Sequence, residues 1–171
     1  MGHELSARGG GDPGSDFDLL PSRLFAVPQE QLTSDDYYTP SWIFERMGIE
    51  FDLDVASPPG GVPWVPCKRF YTMTEDGLTS EWAGRVWMNP PYSCVTPWVA
   101  RFVAHADGVC FVPFARSRWL NVLWDAADGL VVPDNIGSFS FANGATMRYP
   151  VYLAAFGAEC VQAISHIGRV R

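Results

Sequence analysis

The 171-residue sequence has little of what builds a metal knot or a disulfide scaffold: four cysteines, Cys67, Cys94, Cys110 and Cys160, and three histidines, His3, His105 and His166. No C-x-x-C pair occurs and no His falls at ligand spacing from another His or a Cys, so neither a zinc site nor a stapled secreted framework is expected, and a reducing cytoplasm fits. Lysine is nearly missing: Lys68 is the one Lys among twelve basic residues. The rest are Arg, whose planar fork suits phosphates and base edges, although a coding bias gives the same count. No run approaches the roughly 18 apolar residues of a membrane span. The opening MGHELSARGGGDPG also lacks the apolar core of a signal peptide.

What is present reads as one globular domain. Hydrophobic residues make up 47%, aromatics 14% and charged residues 18%, too apolar for disorder, and at this length a separate target-reading domain is not expected. The net charge of −7 argues against binding nucleic acid by charge alone. Its location changes that inference. Residues 1–36 carry seven acids against Arg8 and Arg23, a net −5, while the remaining 135 residues carry twelve acids and ten bases, a net −2.

Residues 1–33 read as an acidic, Gly- and Pro-rich tail, flexible at least through Asp16, and residues 34–171 as the compact domain. Within that domain Thr39-Pro40-Ser41 opens a helix over WIFERM that Gly48 stops. Strands are expected at 51–56, 85–88, 108–113, 130–132, 139–141 and 151–156, with helices at 97–103 and 119–127. Residues 57–84, with four prolines between 58 and 66, read as loop. Strands separated by helix-length segments imply a mostly parallel α/β sheet covered on both faces. Ligands of such sheets sit at the carboxyl ends of the strands, where Asp54, Asn89 and Pro113 fall.

The most informative residues are Asn89-Pro90-Pro91-Tyr92. Two prolines make a rigid turn and remove two N–H donors, leaving acceptors that suit an amino group. An NH2 conjugated to an aromatic ring is a poor nucleophile because its lone pair is delocalised. If the Asn89 side-chain oxygen and the Pro90 carbonyl each accept one hydrogen, the nitrogen can pyramidalise and present its lone pair to an electrophile. Tyr92 would stack on the ring carrying that amine. The bland alternative is a strand ending in a Pro-Pro turn, with Tyr92 in the core.

In this order along residues 35–156, Asp36-Tyr37-Tyr38-Thr39-Pro40, Phe51-Asp52-Leu53-Asp54-Val55-Ala56, Cys67-Lys68-Arg69-Phe70-Tyr71-Thr72, Asp76-Gly77-Leu78 with Trp82, and Val86-Trp87-Met88-Asn89-Pro90-Pro91-Tyr92-Ser93 are followed by a strand ending in Pro113 and by Ser117-Arg118-Trp119. This set resembles the phage-type DNA N6-adenine methyltransferases, a compact branch of the class I S-adenosylmethionine-dependent enzymes with a Rossmann-like sheet. The resemblance implies methyl transfer from S-adenosylmethionine to N6 of a flipped-out adenine in double-stranded DNA, with Asn89, Pro90, Pro91 and Tyr92 as the catalytic turn and no metal. It implies cofactor contacts at Thr39, Pro40, Asp52, Asp54, Ala56, Asp76 and Leu78. Asp54 would face the methionine end of the cofactor and Asp76 its adenine amino group. Asp52 or Asp54 could instead cap a strand, Thr39-Pro40 could be a plain helix start, and Asp76 a turn residue.

Flipping a base costs a few kcal/mol of unstacking, so the protein must brace the gap. Ser93, Arg116, Arg118 and Trp119 are the DNA-contact candidates, with Trp119 in the core as the alternative. The segment 51–61 has no Gly-x-Gly loop. The short 57–84 connection predicts a sheet trimmed by one or two strands. The 113–119 segment is shorter than the family's, and 134–139 lacks its Gly-Arg. Other readings are methylation of protein glutamine, RNA adenine or cytosine N4, or a silent methyltransferase-fold binding module. The resemblance further implies a phage protein acting in the cytoplasm of a bacterial host, with no membrane association.

Overall fold

A computed structural model describes residues 33–133, 139–141, 146–147 and 150–171. The chain divides into two units, Met1–Gln31 and Leu32–Arg171, and all the described residues belong to the second. The expected tail, apart from Thr33, and the 134–138 part of the segment lacking Gly-Arg lie outside the described residues.

Six strands form the main sheet: β2 (Phe51–Asp54), β3 (Cys67–Phe70), β4 (Val86–Met88), β5 (Gly108–Pro113), β6 (Gly129–Val131) and β9 (Val151–Phe156), in the order β3-β2-β4-β5-β9-β6. The first four run parallel, and β9 lies antiparallel between β5 and β6. Short strands β1 (Tyr37–Tyr38), β7 (Phe139–Phe141) and β8 (Thr146–Met147) make a separate antiparallel sheet. Helices α1 (Ser41–Met47), α2 (Val95–His105), α3 (Arg118–Ala126) and α4 (Ala158–Ser165) complete the mostly parallel, Rossmann-like α/β fold.

Strands buried on both faces need unbroken apolar runs, and GVCFVP and VYLAAF are buried throughout. Because side chains alternate across a strand, Val109 and Phe111 enter one core, with Ile43, Phe44 and Met47 of α1 and Cys160, Ala163 and Ile164 of α4. Cys110 and Val112 enter the other, with Val99 and Phe102 of α2 and Trp119 and Leu123 of α3. Helix α1 ends where the sequence puts its stop, at Gly48, whose φ of 63° is the left-handed conformation a C-terminal cap favours. Pro97 sits in the first turn of α2, where a missing N–H costs nothing.

Several elements depart from the expectation, which placed no helix at 158–165, where α4 stands, and no strand at 37–38 or 146–147. Residues 67–70, read as loop, form β3, paired in parallel with β2 in the register Phe51↔Cys67 and Leu53↔Arg69. No helix covers the crossover between β2 and β3, so the connection is shorter than a full βαβ unit. The first strand also stops at Asp54 rather than Ala56.

Candidate functional site

The chain leaves β2 toward β3 on one side and returns to β4 on the other, so the direction of winding changes between β2 and β4. A ligand crevice is expected outside the carboxyl ends of two such strands. Asp54 ends β2 and Asn89 follows β4, and both line a cavity of about 270 Å³ at that point. Thr39, Ala56, Ser57 and Trp87 line it too. A smaller cavity of about 180 Å³ shares Ala56, Ser57, Met73 and Pro91 with the first, and adds Asp76 and Gly77. The two cavities adjoin at these shared residues, and the pair is termed the trough.

Asp54 is 3% exposed and its carboxylate accepts one hydrogen bond, 3.1 Å from the Ala56 N–H. Burial pushes its pKa from the ordinary 3.8 up to about 6; the Ala56 N–H and the nearby Ser57 hydroxyl offset part of that. No cation among the described residues pairs with it. The charge is thus desolvated without a partner, which is costly unless a ligand supplies one. Asp35 and Asp36 also line the trough. The carboxylates do not converge on a point, since among the described residues no group of three His, Cys, Asp or Glu is spaced to hold a metal ion.

Asn89 has a fixed orientation. Its Nδ2 donates to the Tyr37 carbonyl at 2.9 Å, and because a carbonyl can only accept, the amide cannot be flipped. Oδ1 therefore faces the other way, buried and without a hydrogen bond. The Thr39 hydroxyl is likewise buried without a hydrogen bond, while the buried Ser57 hydroxyl lies toward the Asp54 carboxylate. The Asn89 oxygen and the Thr39 hydroxyl line one cavity, and a polar ligand there would satisfy both.

The remaining sequence candidates divide. Pro91 and Ala56 line the trough, and Pro90 is buried behind it. Asp76 lines the smaller cavity, in a left-handed conformation with φ 54°. Its carboxylate also makes a turn, accepting from the Leu78 N–H at 3.1 Å and the Thr79 hydroxyl at 2.9 Å. Leu78 packs against the core under α2 rather than lining the cavity, and Pro40 is the N-cap of α1.

Asp52 is not brought to the trough. It sits nearer the start of β2, where its carboxylate accepts from Lys68 Nζ at 2.7 Å and the Arg85 N–H at 2.9 Å. The Lys68 bond, and then the Arg85 bond, hold its pKa below the ordinary value.

On the other side of the Pro-Pro turn, Tyr92, Ser93, Pro113, Ser117 and Trp119 line a third cavity of about 360 Å³. Tyr92 begins a 3-10 turn (Tyr92–Cys94) and its ring lies 5.9 Å from that of Tyr37, tilted by 50°. Trp119 reaches the cavity wall from the core, where it is 7% exposed. Arg116 and Arg118 are exposed at the start of α3, whose N-cap Ser117 accepts from the Trp119 N–H at 3.3 Å. Sequence reasoning missed Asp35, Ser57 and Met73 as trough residues; the first stands next to the quoted Asp36-Tyr37-Tyr38-Thr39-Pro40 motif.

Comparison with known proteins gives two matches. The family model described as "DNA N-6-adenine-methyltransferase (Dam)" matches residues 28–146, well over half of the chain. A "DNA N-6-adenine-methyltransferase" of Haemophilus phage HP1 (strain HP1c1) is 36% identical over 77 residues, covering 42% of this chain and 43% of that protein. The match thus spans less than half of the relative. No solved structure matches.

Proposed function

We propose, because this chain belongs to the DNA N-6-adenine-methyltransferase (Dam) family, that it transfers the methyl group of S-adenosylmethionine to N6 of adenine in DNA. The observation that carries this reading is the Asn89 side chain, whose amide donates one N–H to the Tyr37 carbonyl and whose buried Oδ1 is left to accept. An exocyclic amine is a donor that this acceptor fits.

The charge and polarity of the trough suit the cofactor. Asp54, buried without a cation, would take the α-ammonium of the methionine end, a contact that repays the cost of its desolvation. Asp76, at the far end, would accept from the adenine amino group, with the Thr39 and Ser57 hydroxyls and the backbone at Ala56 available in between. When bound, S-adenosylmethionine supplies a methyl group on a sulfonium, an electrophile open to direct in-line attack.

The chain's own work is then orientation. Asn89 Oδ1 and the Pro90 carbonyl would accept the two N6 hydrogens and turn the nitrogen lone pair toward the methyl carbon. Donor-free acceptors aimed at a nitrogen that gains positive charge stabilise the transition state more than the ground state. The base enters from outside the duplex, with Tyr92 as the stacking face, Ser93 and Trp119 along the neighbouring cavity, and Arg116 and Arg118 toward the phosphates.

The test is transfer of labelled methyl to unmethylated double-stranded DNA, followed by digestion to nucleosides. N6-methyladenine is the expected product. N4-methylcytosine, methylated RNA or methylglutamine would move the substrate while keeping the chemistry, and absence of cofactor binding by calorimetry would favour a silent binding module.

A further inference from the structure

The Asn-Pro-Pro-Tyr turn does not hold itself in place. Residues 33–39 cross it as a strap attached at three points. Asp35 accepts from the Ser93 N–H at 2.8 Å and from the Ser93 hydroxyl at 2.6 Å, so both carboxylate oxygens are spent on one residue. Two residues on, the Tyr37 carbonyl accepts from Asn89 Nδ2 and the Tyr37 ring meets Tyr92. The strap is itself fixed by a capping box, with Asp36 accepting from the Thr33 N–H at 2.8 Å and the Thr33 hydroxyl at 2.9 Å. Between the anchored Asn89 and the anchored Ser93 lie only Pro90, Pro91 and Tyr92. Pinning both ends leaves the two prolines and the Tyr92 ring little freedom, at the point where the trough meets the third cavity.

We infer that Asp35 is a positioning residue for methyl transfer: by holding Ser93 through two hydrogen bonds it fixes the far end of the Asn89–Tyr92 turn in the geometry that orients the amino group. The inference rests on the function proposed above. Asp35 acts through Ser93 and Tyr92 and touches neither reacting atom. A displacement of about 1 Å in such a turn is enough to cost on the order of 100-fold in rate.

The experiment compares Asp35→Ala, Asp35→Asn and Ser93→Ala in the full chain with four readouts: kcat at saturating cofactor and DNA, KM for DNA, cofactor Kd by calorimetry, and deuterium exchange of the Ser93 amide. Asp35→Ala should lower kcat by about 10- to 100-fold, leave cofactor Kd within about threefold, and speed Ser93 exchange by about tenfold or more. Ser93→Ala, which keeps the N–H bond, should lose less. Asp35→Asn should regain most of the turnover, because its Oδ1 accepts the Ser93 N–H and its amide donates to the Ser93 hydroxyl.

A loss confined to cofactor Kd would make Asp35 a cofactor ligand and overturn the inference. So would unchanged kcat, or an Asp35→Asn variant as damaged as Asp35→Ala. If the wild-type chain methylates no DNA, the functional reading fails instead, and the exchange arm still decides: an unaltered Ser93 amide in Asp35→Ala refutes the strap.

Discussion

A carboxylate with no cation beside it, 3% exposed at a strand end, is an unusual thing for a chain to keep. The folded pKa of Asp54, about 6, lies above the ordinary 3.8, so between those values the native state binds more protons than the unfolded chain. Stability therefore falls as pH rises through that window and stays lower above it, by about 3 kcal/mol at 1.36 kcal/mol per pKa unit. Asp54→Asn should accordingly raise unfolding stability by about 1–3 kcal/mol at pH 8 and change it little near pH 4. Parallel denaturant titrations at the two pH values check this. The same substitution should weaken cofactor binding on the order of 100-fold. In the wild type, cofactor affinity measured by calorimetry should rise with pH up to about 6, as the carboxylate ionises, and fall again once an α-amino group of pKa about 8 loses its proton. A stability that ignores the Asn substitution would mean that Asp54 is solvated or paired after all. Cys110 gives the contrasting residue: burial pushes its thiol up to about 12, so it serves as core and not as a nucleophile.

At the level of elements, the turn after β3 sets the second cavity. A Cβ on Gly77 would stand 1.9 Å from the Val55 carbonyl oxygen and 2.9 Å from the Trp98 ring, and the first is backbone that cannot swing away. Trp82 closes the same turn by donating its indole N–H to the Gly77 carbonyl at 2.7 Å. Gly77→Ala should destabilise the fold by about 1–3 kcal/mol and displace Asp76, raising cofactor Kd while sparing the Asn89 turn. Thermal melts and calorimetry read the two effects separately, and an unchanged melting temperature would contradict the close packing.

The same scale shows what the sequence makes legible. The six-residue runs of β5 and β9 announce themselves because burial on both faces requires continuous apolar residues. β3 does not: Cys-Lys-Arg-Phe is half-buried at its first residue and exposed at the rest, and its identity as a strand comes from hydrogen bonding to β2 across the sheet edge. α4 has only eight residues, and its N-cap, Gly157, makes no side-chain cap. The pair Asp54 and Asn89 could be placed at one sheet end from strand pattern alone. The Asp35–Ser93 contact could not, since it joins positions 58 apart with no local periodicity.

For the whole molecule, the net charge of −7 is unevenly held, with a net −3 on residues 1–32. Among the described residues, those that hold the site begin at Thr33, which caps the strap. Deleting residues 1–32 should therefore leave methyl transfer within about threefold and tighten DNA binding at low salt, an effect that fades as salt screens the charge. Extending the deletion through Asp36 should remove most of the turnover, because it removes Asp35 and the cap together. Filter binding across a salt series, alongside turnover, distinguishes charge from structure. No helix among the described residues is long and apolar enough to cross a membrane.

The most direct test of the account is Asn89→Ala, assayed for both cofactor affinity and methyl transfer to DNA. The acceptor role predicts a kcat lower by about 100- to 1,000-fold, with cofactor Kd within about threefold of wild type. Full turnover in the variant, or a defect confined to cofactor binding, would contradict the claim that the Asn89 oxygen holds the amino group.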